Sequence, residues 1–136
     1  MKKVLFAIDD TPECERAAQF LVDFFTTDYA FTLIHIKADF VLYGDAVLAS
    51  YDEGQDSEEQ RAKETMGKFE SLFASKGHKP TMLLKEGEPV QQVLEEVKDY
   101  DLLVIGRSTD SFFNKIFSSN QDDFITKTPI PVLLVK

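Results

Sequence analysis

Short apolar runs alternate with helical patterns along almost the whole of this chain, and that alternation restricts the fold more than any other feature. The runs are Val4–Ile8, Phe31–Ile36, Leu102–Ile105 and Val132–Val135, with a weaker one at Thr81–Lys85. They are rich in Val, Ile and Leu and do not alternate cleanly with polar residues. Strands buried on both faces read this way, and parallel sheets contain such strands. Thr81–Lys85 is the candidate edge strand.

Helical patterns separate the runs. Thr11 is placed to cap a first helix with Pro12 at its first position. Its apolar stripe is Cys14, Ala17, Ala18, Leu21 and Phe25. A second helix is expected to open at Ser57, where Gln60 completes a capping box. Ala62, Met66, Phe69 and Phe73 form its stripe, and Gly77 fits the left-handed position past its end. A third starts near Glu88-Pro89 with the stripe Val90, Val93, Leu94 and Val97, and a short fourth covers about Gln121–Thr126. The order β-α-β-α-β-α-β-α-β predicts an α/β domain with right-handed crossovers and helices on both faces of an open parallel sheet. The 136 residues suit one domain. The one long connection, about Ala38–Asp56, carries Gly44 and Gly54 among apolar residues, and a connection of that length is usually functional or partly ordered.

Charge and composition exclude several functions. The net charge is −9 and no Lys/Arg cluster interrupts it, so neither nucleic acid nor an anionic membrane is an expected partner. The acids of 52–70 and 86–101 coincide with helical periodicity and read as solvated helix faces. No apolar stretch approaches a membrane span. The first apolar run is too short for a signal peptide, and the single cysteine, Cys14, forms no internal disulfide. A cytoplasmic protein is expected. His35 and His78 share no metal-ligand spacing with a cysteine or with each other, and no metal is expected. Cys14 lies on the apolar face of its helix and reads as a core thiol.

In open parallel sheets, ligands bind beyond the carboxyl ends of the strands, near the switch in strand order. Asp9-Asp10, Lys37-Ala38 and Gly106-Arg107-Ser108 follow strands and should converge there. Paired carboxylates such as Asp9 and Asp10 can hold Mg²⁺ beside a phosphate, or stabilise the helix that follows.

Three segments carry a resemblance: Val4-Leu5-Phe6-Ala7-Ile8-Asp9-Asp10-Thr11, then Leu33-Ile34-His35-Ile36, then Gly87-Glu88-Pro89 running into Asp101-Leu102-Leu103-Val104-Ile105-Gly106-Arg107, with the closing Pro129-Ile130-Pro131-Val132-Leu133-Leu134-Val135. Together, nearly end to end, they resemble the universal stress protein family. The resemblance implies a five-stranded sheet in the order 3-2-1-4-5, with a Rossmann-like three-layer architecture. It implies a homodimer through the last strand, which places Pro131, Val132, Leu133, Leu134 and Val135 in the interface. In one branch it implies an ATP site built on Gly-x-x-Gly, nine residues, then Gly-Ser or Gly-Thr, with the aspartate after strand one near phosphates and metal. Carried onto this chain, the nucleotide-binding set is Asp9, Asp10, Ile36 (through its backbone, to adenine), Gly106, Arg107, Thr109, Ser119 and Asn120.

The chain departs from that loop. Gly106 is kept, but Thr109 and Ser119 stand where the other two glycines belong, and Asn120 replaces Ser or Thr. Side chains there disfavour the backbone path that close phosphate approach requires. Asp122 and Asp123 also fall in the first turn of the fourth helix, where carboxylates repel an anion. The expected function is therefore a non-catalytic stress-response or regulatory binding protein, homodimeric, with a degenerate nucleotide loop and no resident cofactor. The alternative is an adenine-nucleotide-binding protein that takes ATP with Mg²⁺ and has slow ATPase activity. Phe112, Phe113, Ile116 and Phe117 read as core or as a contact surface for a protein partner or small ligand.

Overall fold

A computed structural model describes residues 1–37, 51–106 and 127–136, with side chains from residue 59 onward in the second stretch. Arg107, Thr109, Ser119, Asn120, the Phe112–Phe117 cluster, the helix expected at Gln121–Thr126 and the greater part of the 38–56 connection lie outside the described residues.

Five strands form one parallel sheet: β1 Lys2–Ile8, β2 Tyr29–Lys37, β3 Thr81–Glu86, β4 Leu102–Gly106 and β5 Val132–Val135. Their order is β3-β2-β1-β4-β5. The β1 register sets Ala7 opposite Ile34 on β2 and Ile105 on β4. Among the described residues the helices are α1 Pro12–Phe24, α2 Tyr51–Ser75 and α3 Pro89–Glu96, the last running into a short 3₁₀ turn Val97–Asp99.

Both faces of the sheet are buried, as the unalternating apolar runs imply. Val4, Phe6 and Ile8 point to the side covered by α1 and α2, with Phe31, Leu33, Phe69 and Phe73. Leu5 and Ala7 point to the other side, with Ile34, Leu103, Ile105 and Val93 and Val97 of the α3 region. Phe6 lies 6.2 Å from the ring centres of both Phe69 and Phe73, an aromatic seam between sheet and α2.

Local signals account for the helix starts. Thr11 Oγ1 accepts from the Cys14 amide at 3.2 Å with Pro12 at the first position of α1. Glu88 caps α3 through both carboxylate oxygens, to the Val90 and Gln91 amides. The start of α2 differs from expectation: the helix begins at Tyr51, so Ser57 and Gln60 are interior and the capping box does not open it. The segment before Ser57, Tyr51-Asp52-Glu53-Gly54-Gln55-Asp56, holds the weak helix formers Asp and Gly, but extending an existing helix costs far less than nucleating one. Phe25, expected on the α1 stripe, is the residue after its last turn, and Val22 takes the core position instead.

Candidate ligand site at the carboxyl ends of the strands

From β1 the chain moves outward to β2 and β3, then returns across the sheet to β4. The switch in strand order therefore lies between β1 and β4, and the residues beyond their carboxyl ends flank it. Asp9 follows β1, and Gly106 is the last residue of β4, still paired with Val135 of β5. Gly106 is thus a strand residue and not the first residue of a loop.

Asp9 and Gly106 are each tied to α1. The Asp9 carboxylate accepts from both the backbone amide (3.0 Å) and the hydroxyl of Thr11. Thr11 in turn caps α1, so Asp9 holds the cap in an Asx turn. The Asp9 amide donates to Cys14 Sγ at 3.4 Å, and that thiol reaches the Ala7 carbonyl at 3.8 Å. Burial pushes the Cys14 thiol well above the ordinary thiol range, and the nearby Asp9 charge adds to it. A neutral, buried thiol is a packing group and not a nucleophile. A β-carbon at Gly106 would lie 3.1 Å from Cys14 Cα and 3.4 Å from both Ala17 Cβ and the Glu13 carbonyl oxygen. The absent side chain is what lets the first turns of α1 lie against the end of β4.

The remaining described residues of the set spread around this point. Asp10 is exposed. Ile36 is half-buried and packs toward the α3 face. His35 Nδ1 lies 3.1 Å from the Ile8 carbonyl, which only accepts, so Nδ1 carries the proton and His35 ties the end of β2 to β1. Lys37, the last residue of β2, is 8% exposed, and its carbonyl accepts from the Gly87 amide at 3.1 Å. It brings a buried cation to the carboxyl ends of the strands. Only its place at the end of an apolar run marked it in the sequence. Among the described residues no group of three or more His, Cys, Asp or Glu side chains is arranged to hold a metal ion.

A separate groove of about 670 Å³ lies between α1 and α2 over Phe69 and Leu72. Lys68 reaches across it to Glu15, while Arg16 pairs with Glu13 at 3.7 Å, so its charges are satisfied within the protein.

Comparison with known proteins covers the full chain. A family model described as "Universal stress protein family" matches residues 1–136. A universal stress protein of Helicobacter pylori is 33% identical over 135 residues, which covers 98% of each chain. Among solved structures, the fold is similar to that of UspA from Lactobacillus plantarum, at a TM-score of 0.79 and 18% identity over 99% of this chain and 97% of that one. It is also similar to a universal stress protein family protein from Arabidopsis thaliana with AMP bound, at a TM-score of 0.72 and 17% identity over 100% of this chain and 92% of the other. At these identities the two structures speak to the fold alone.

Proposed function

Because the chain belongs to the universal stress protein family, we propose that it is a non-catalytic, cytoplasmic stress-response binding protein that acts as a homodimer through β5. The observation that carries the non-catalytic reading is the commitment of Asp9. One oxygen of its carboxylate accepts twice from Thr11, which gives the group a role in positioning α1. An aspartate with this structural role has a reason to be there other than holding a phosphate-bound metal. Gly106 has a packing reason to be glycine, so its presence does not by itself argue for a phosphate loop.

The dimer reading is supported by the open edge at β5. Val132, Leu133, Leu134 and Val135 are all half-buried, and among the described residues β5 pairs with β4 on one side only. An apolar edge strand of this kind invites pairing with its own copy.

A second reading has its own support. The Arabidopsis thaliana structure holds AMP, and in this chain the crevice between β1 and β4 brings Asp9 and Gly106 together. In that reading Asp9, Asp10, the Ile36 backbone, Gly106, Arg107, Thr109, Ser119 and Asn120 surround an adenine nucleotide. Isothermal titration with AMP, and with ATP in the presence and absence of Mg²⁺, separates the two. No heat at millimolar nucleotide is the expected result. Binding at micromolar concentration replaces the first reading with the second.

A further inference from the structure

Phe20 and Phe24 are 39% and 69% exposed, and their rings stack at 5.2 Å on the outer surface of α1. A spacing of four puts them on one stripe of the helix. The opposite flank of α1 is the one that meets α2, since Glu15 reaches Lys68 there. At 3.6 residues per turn, Phe20 and Phe24 lie about 140° and about 180° around the helix from Glu15. Ala17, on the same side as the two phenylalanines, lies against Gly106 of β4, and α1 contacts both β4 and β5. The aromatic stripe therefore faces the edge of the sheet where β5, among the described residues, pairs on one side only.

The lengths agree as well. From Ala17 to Phe24 the helix descends about 10 Å. From Gly106 down to Leu103, opposite Val135 and Val132, the strands descend about the same distance. Phe20 and Phe24 thus flank β5 from about its middle to its Val132 end.

We propose that this stripe is part of a two-fold interface with a second copy of the chain. The inference rests on the β5 reading proposed above and adds to it a second, helical layer. A strand of four residues offers a contact line only about 13 Å long. A stable interface needs on the order of 800 Å² per partner, and so short an edge requires apolar surface beside it. Antiparallel pairing of β5 with its copy places the two-fold axis perpendicular to the sheet and keeps both α1 helices on the same face. The two β4 strands then stand three strand spacings apart, about 14 Å. Helices packed directly sit 8–10 Å apart. The remaining gap of roughly 5 Å is bridged by large side chains from both helices, and among the described residues Phe20 and Phe24 are bulky apolar residues on that flank.

Sedimentation equilibrium of the full chain tests this. The Phe20→Ser/Phe24→Ser double variant is expected to weaken the dimer at least about tenfold. Its circular dichroism should stay native, and its unfolding midpoint should match the parent's when both are compared at concentrations where each is monomeric, because neither ring is in the core. Phe20→Leu/Phe24→Leu is expected to stay within about threefold of the parent. Leu133→Lys, which puts a charge in the middle of the edge, is expected to dissociate the dimer. If Leu133→Lys dissociates it while the serine variant binds as tightly as the parent, the aromatic layer is wrong and the β5 reading stands. A parent chain that is monomeric at micromolar concentration overturns both. In protein labelled with 4-fluorophenylalanine, the fluorine resonances of Phe20 and Phe24 should move as the dimer is diluted. Their constancy across dissociation overturns the inference without any variant.

Discussion

Gly106 and Asp9 show how one residue can carry a family's signature for a reason local to this chain. Gly106 faces the backbone of α1: a methyl group there would meet Cys14 Cα at 3.1 Å. A Cα cannot rotate aside as a flexible side chain can, so α1 itself would have to shift. Gly106→Ala is accordingly expected to destabilise the fold by about 1–3 kcal/mol, the usual range for overpacking. Thermal or denaturant unfolding measures it. An alanine variant as stable as the parent would mean that α1 moves freely, and would return Gly106 to consideration as a purely ligand-binding glycine. Asp9 is coupled to the same place, because the cap it holds through Thr11 sets where α1 begins.

At the scale of elements, the end of α2 is determined by a second glycine that acts for a different reason. Gly77 has φ +87, and a β-carbon on it would meet only Thr27 Cγ2, at an ordinary 3.5 Å. The constraint is conformational. The His78 amide donates to the Phe73 carbonyl and the Gly77 amide to that of Ala74, both at 3.0 Å, which closes the helix in a Schellman motif. Gly77→Ala is expected to cost roughly 1–2 kcal/mol, the penalty of the left-handed region for an ordinary residue. Gly77→Asn should recover part of that loss, since asparagine tolerates the conformation better; chemical denaturation of the pair reads the difference. This ending was legible in the sequence, as were the five strands and the starts of α1 and α3, because caps, glycines and apolar runs are local signals. The start of α2 was not, because a helix can run past an internal capping box without penalty. His78 was read only as a neighbour of Gly77. The Schellman turn folds its ring back between Phe31 and Phe73, at 5.1 and 5.9 Å, leaving it 5% exposed, and no local pattern announces that contact. Of the candidate site, Asp9 and Gly106 were found at the strand ends. Their bonds to α1 depend on how closely the helix lies on the sheet, which the sequence does not display.

For the whole molecule, the proposed dimer has to form against its own charge. Each chain carries −9, so two copies repel one another at long range. The surfaces proposed to meet, β5 and the Phe20–Phe24 stripe, are apolar, and apolar burial does not depend on ion pairing. Added salt screens the repulsion, with a Debye length that falls from about 30 Å at 0.01 M to about 8 Å at 0.15 M, and leaves the apolar attraction in place. The dimer is therefore expected to tighten as ionic strength rises over this range, by a factor of several in dissociation constant, when followed by sedimentation or light scattering at fixed pH. An interface held chiefly by ion pairs between the copies would show the reverse trend, because salt would weaken the attraction along with the repulsion. The sign of the salt dependence thus separates an apolar edge-and-helix interface from one built on complementary charges, and it does so without altering a residue.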